Sequence, residues 1–124
     1  MDTLLSNSNL QWREMCQARA RELGMGVLAM KTMGNFIFNR NAVNLVPDFG
    51  EARLRALRQA ALRWVLRDRQ PTMLLVGVTL PEDIDENIRT LAGDLTFTLA
   101  DRRVLADFSG KALGSARVQA MKTV

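Results

Sequence analysis

Apolar residues fall into two rhythms along this chain. In some stretches they recur every three or four positions, and in two they run together without interruption. The first spacing suits a helix that buries one stripe; the second suits a short strand covered on both faces. "LQWREMCQARAREL" (10–23) has the helical spacing, with Leu10, Met15, Ala18 and Leu23 on one broad face, Asn9 placed to cap it and Gly24 to end it. A helix packed on a core accounts for that face. "EARLRALRQAALRWVLRD" (51–68) carries the stronger signal: Leu54, Leu57, Ala61, Trp64 and Val65 repeat at helical spacing, with Arg55, Arg58, Arg63 and Arg67 mostly off the stripe. A third helix is expected from Pro81, whose ring suits a first turn. Glu82, Asp83, Asp85 and Glu86 sit near its positive end. A fourth is expected from about Leu99 to Leu113, capped by Thr98.

The uninterrupted runs lie at about 26–30, with Val27, Leu28, Ala29 and Met30, and at 72–78, "TMLLVGV". Between the first run and the second long helix, residues 31–50 hold Gly34, Pro47, Asp48 and Gly50, which favour turns. Phe36, Ile37 and Phe38 in that segment are too apolar for a fully exposed loop, and they are expected to fold back on the body or face a ligand or partner. Strands alternating with helices imply βαβ units and a parallel sheet. Two parallel strands do not make an independent sheet, so these runs ask for neighbours that the chain does not supply.

Composition narrows the chemistry. A length of 124 residues, nearly half of them apolar, predicts one domain over 1–124 with a real core. No apolar run is long enough for a membrane span, and the N-terminus lacks the pattern of a secretory signal. The single cysteine, Cys16, excludes an internal disulfide framework and fits a reducing compartment, so a cytoplasmic location is expected. There is no His and no Tyr, which removes the commonest general base and a phenolic acid. A metal site is not expected with Cys16 alone as a soft ligand. The net charge of +4 invites a nucleic-acid reading through the Arg-rich helix 51–68. Without a basic run or interleaved aromatics, a solvated helix face is the better account.

In order and spacing, "GMGVLAMKTMG", "ALRWVLRD" and "LLVGVTLPEDIDENI" resemble successive segments of the C-terminal part of aldo/keto reductases, and "LTFTLADRRVL" resembles the family's last helix. The resemblance runs from about residue 10 to 113, and the pattern around Pro81, Glu86 and Asn87 is its most specific part. It implies the C-terminal portion of a (β/α)8 barrel that reduces carbonyls with NADPH or NADH, with the ligand site at the C-terminal ends of the strands. By the same resemblance, Met30, Lys31 and Thr32 belong to the loop over the cofactor pyrophosphate. Met30 can only pack where a Tyr elsewhere stacks on nicotinamide, and Thr32 replaces a usual Pro. Gly77, Val78 and Thr79 would offer backbone N–H groups and a hydroxyl to the adenosine phosphate. Gly77 and Asp83 stand where some members carry the Lys and Arg that grip the 2′-phosphate of NADPH. Glu86 and Asn87 match the pair that meets the adenine. The family's catalytic Asp, Tyr, Lys and His come from the other half of the barrel, so no catalytic residue is expected here. A family iron–sulfur domain is excluded by the lone Cys16. The alternative is a non-catalytic remnant that assembles with a complementary barrel half, with another chain or with itself; a basic helical binder of nucleic acid ranks below both.

Overall fold

The computed structural model describes residues 7–30, 45–69 and 71–114. In chain order these form helix α1 (Asn7–Glu22), strand β1 (Leu28–Ala29), a 3₁₀ turn (Pro47–Phe49), helix α2 (Glu51–Arg69), strand β2 (Met73–Leu74), helix α3 (Pro81–Ala92) and helix α4 (Leu99–Gly114). The two strands pair in parallel, Leu28 opposite Met73 and Ala29 opposite Leu74. The architecture is therefore α/β with an open two-stranded sheet. It contains no closed barrel among the described residues, and both strands are shorter than the 26–30 and 72–78 expected from sequence. No described helix is long and apolar enough to cross a membrane.

The core sits between α2 and α4. Leu54 and Leu57 from α2 meet Phe108 and Ala112 from α4, and Leu45, Val46 and Phe49 close the cluster. Phe49 and Phe108 pack edge to face, centroids 5.2 Å apart at 80°, the arrangement that ring quadrupoles favour. The Arg53 guanidinium lies over the Phe49 ring, 4.0 Å from its centroid, and pairs with Asp107. Pro47 sets the 3₁₀ turn that aims Phe49 inward, and Gly50 takes a left-handed φ of 76° before α2 begins.

Local signals explain the helix ends. Gly24 at φ 66° closes α1. The Gly24 and Met25 N–H groups donate to the carbonyls of Arg21 (3.0 Å) and Ala20 (2.8 Å), a Schellman ending. At the other end Asn9 lies inside α1, because the helix already includes Asn7. Thr98 caps α4 in a reciprocal box: its hydroxyl accepts from the Asp101 N–H at 3.2 Å, while the Asp101 carboxylate accepts from the Thr98 N–H at 2.8 Å.

Two packing expectations are corrected. The face of α1 expected to meet a core is uncovered, with Met15, Ala18 and Leu23 exposed; no described element lies against it closely enough to bury it. The strands are covered on one face only. Leu74 and Val76 pack on Ala61 and Leu62 of α2. On the opposite face Leu28 and Met73 remain 52% and 57% exposed, and Met30 and Leu75, next along that face, 61% and 45%. The alternation of side chains across a pleat separates the two sets. Phe36, Ile37 and Phe38 lie outside the described residues.

Candidate functional site

Parallel pairing carries β1 and β2 to the same end of the sheet, so Met30 and the link 77–79 both lie beyond that end. Lys31 and Thr32 lie outside the described residues. Met30 is exposed on the uncovered face. Gly77, Val78 and Thr79 are exposed and lead into α3, whose first residue, Pro81, gives up an N–H that the helix would not have used.

The start of α3 is occupied by its own acid. The Asp83 carboxylate accepts the Thr79 N–H at 3.0 Å and the Leu80 N–H at 2.9 Å. This is the returning half of a capping box, with Leu80 at the cap position contributing only backbone. The carboxylate stands at the positive end of the helix dipole, where a phosphate would be attracted in other proteins. A phosphate does not fit beside it: the Thr79 donor is already bonded, and Asp83 adds a like charge.

Glu86, one turn further on, faces α2. Its Oε1 accepts from Arg58 Nε at 3.3 Å and its Oε2 from Arg58 Nη2 at 3.4 Å, with Arg55 Nε 3.5 Å from Oε2. Arg58 Nη2 also donates to Glu51 Oε1 at 3.0 Å. Burial alone would lower the Arg58 pKa, but Glu86 and Glu51 outweigh it and raise the group above its ordinary value. Thr90 donates its hydroxyl to the Glu86 carbonyl at 2.8 Å. Asn87 is half-buried on the same turn.

A polar groove of about 510 Å³ runs between α2 and α3, with Arg55, Arg58, Glu86, Arg89 and Thr90 in its walls; Asn87 is not among its lining residues. Asp83 lines it as well, so the groove connects the start of α3 with the Glu86 cluster. The described residues therefore fit the amino-bearing base of a dinucleotide, which an anchored carboxylate can recognise, better than they fit its phosphates.

Arg58 is the residue that reading the sequence by its apolar stripe missed: it is buried rather than solvated. The available signal was its spacing of seven from Glu51, which puts the two on one face of the helix. A second ion pair borders the same groove, because Arg63 is also in its wall. Arg63 holds Asp101 through both oxygens, at 2.5 and 3.1 Å. Burial would raise the Asp101 pKa, yet Arg63 and the Thr98 donors hold it below the usual carboxylate range.

Comparison with known proteins finds similarity to two reductases of the same name. Over 60 residues the chain is 35% identical to L-glyceraldehyde 3-phosphate reductase of Escherichia coli O157:H7, and 33% identical to the enzyme of the same name from Escherichia coli strain K12. That enzyme is an aldo/keto reductase. The matched stretch covers 48% of this chain and only 17% of either relative. No family model matches, and no solved structure does.

Proposed function

We propose that this chain, a single partial barrel domain over 1–124, is a piece of an aldo/keto reductase-type oxidoreductase of the cytoplasm, and that it holds the adenosine end of NADP or NAD. The carrying observation is the 60-residue similarity to L-glyceraldehyde 3-phosphate reductase. The parallel pair of strands, whose C-terminal ends lie at one end of the sheet, adds to it. Glu86 and Asn87 take the adenine. Met30, Lys31 and Thr32 border the nicotinamide and pyrophosphate side; the adenosine phosphate lies before the start of α3, toward Gly77, Val78 and the Thr79 hydroxyl, since the Thr79 N–H is held by Asp83. Asp83 in place of a cation weighs against a strong preference for the 2′-phosphate. The cofactor, when bound, supplies the hydride for a carbonyl, and the complete enzyme brings the proton donor. This chain's residues bind and orient. Titration with NADPH and NADH, followed by the fluorescence of the reduced nicotinamide, tests the reading. Saturable binding of both within a few fold is expected, and a folded chain that binds neither contradicts it.

A second reading has its own observation. The uncovered face of Leu28, Met30, Met73 and Leu75 favours a non-catalytic piece that assembles with another chain or with itself. Size-exclusion chromatography coupled to light scattering over a concentration series separates the two; a stable monomer at every concentration weighs against self-assembly. A nucleic-acid role has less support, because Arg53, Arg55, Arg58 and Arg63 are all engaged by carboxylates of this chain.

A further inference from the structure

The Arg58–Glu86 pair has a geometry that a simple helix clamp does not require. Arg58 approaches edge-on, Nε to one carboxylate oxygen and Nη2 to the other. Two parallel bonds of this kind fix the plane of the carboxylate as well as its position. Glu51, the first residue of α2, holds the same Nη2 at 3.0 Å, so the guanidinium itself has little freedom. The Glu86 side chain is 16% exposed, against 11% for Arg58, and the groove runs past it. Oε1 accepts one protein hydrogen bond here and has lone-pair capacity for another.

We propose that Arg58 is a positioning residue that sets base selectivity: it orients the Glu86 carboxylate so that Oε1 accepts the exocyclic amino group of an adenine lying in the α2–α3 groove. The inference rests on the reading of Glu86 as an adenine contact and adds the residue that makes that contact selective. A carboxylate with a fixed plane rewards a donor at one direction and repels an acceptor there. Hypoxanthine, which carries a carbonyl oxygen in place of the amino group, presents such an acceptor. A carboxylate free to turn loses this contrast while keeping its charge.

The test compares the affinity of the full chain for NADPH with that for its hypoxanthine analogue, in the native protein, Arg58→Lys, Arg58→Gln and Phe108→Leu. The native chain should prefer adenine by about tenfold or more, the contrast expected of a hydrogen bond to a charged group. Arg58→Lys keeps the charge and loses the fork, and the preference should fall to about twofold. Arg58→Gln should behave alike if it folds; Arg58→Lys carries the test if it does not. Phe108→Leu loosens the α2–α4 core without touching a residue of the groove and should lower the melting temperature while leaving the preference unchanged, which separates selectivity from stability. Undiminished preference in Arg58→Lys overturns the positioning role while leaving the cofactor reading intact. A native chain that binds neither dinucleotide overturns the cofactor reading, and the inference with it.

Discussion

The two faces of the small sheet differ more than any other two regions of the molecule. Against α2, Leu74 and Val76 are packed on Ala61 and Leu62, and α2 in turn is locked to α4 through Leu57, Phe108 and the edge-to-face pair with Phe49. On the opposite face Leu28, Met30, Met73 and Leu75 stand side by side in water. The residues are chemically alike, so composition does not explain the contrast. What differs is whether the chain supplies a second layer: α2 covers one face, and nothing among the described residues covers the other. Stability is therefore expected to reside in the α2–α4 half, and the sheet to be held mainly through its covered face.

That contrast can be broken from its strongest side. Phe108→Ala removes a fully buried ring and should cost about 3–5 kcal/mol, a large part of the 5–15 kcal/mol typical of a small domain; urea denaturation followed by circular dichroism measures it. Asp101→Ala leaves Arg63 without its buried partner and should cost about 2–3 kcal/mol by the same measurement. The depressed Asp101 pKa makes this contribution pH dependent. It is fully present above the ordinary carboxylate value of about 3.9 and is lost as pH falls through the lower folded value. An acid titration of stability should accordingly be shallower in Asp101→Asn. Thr98→Ala removes one side of the α4 cap and should cost about 1 kcal/mol. At the small end, Leu28→Ser and Met73→Ser on the uncovered face should shift monomer stability by no more than about 0.5 kcal/mol. If either costs several kcal/mol in dilute monomer, the uncovered face is structural after all and the comparison fails.

The helices were legible because their information is local. The repeat of Leu54, Leu57 and Ala61, the Thr98 cap and Gly24 at the end of α1 all act within a turn or two, and α2 and α4 run to within a residue of the expected 51–68 and 99–113. The strands were legible in kind, since the runs at 26–30 and 72–78 do pair in parallel. Their extent was not, because strand length depends on neighbours that hydrophobicity cannot count. Burial of α1 was misread for the same reason: a stripe at Met15 and Leu23 states that a helix can be covered, not that it is. Within the candidate site, the crowding of acids after Pro81 pointed to the helix start, but the division of labour did not show. Asp83 turns back to cap α3, and Glu86 turns outward to Arg58. That choice is made by α2, 28 residues away in sequence from Glu86 to Arg58, and no short motif records it.

Amide hydrogen exchange of the full chain, with and without saturating NADPH, tests the central claim most directly because it locates the nucleotide and compares the two regions in one measurement. The account predicts slow exchange in α2 and α4 with or without ligand, and new protection on binding at about residues 30–32, at 77–90 and in the facing turn of α2 around Arg58. No change on adding NADPH, or protection appearing only at Leu28–Ala29 and Met73–Leu74 on the uncovered sheet, would contradict it.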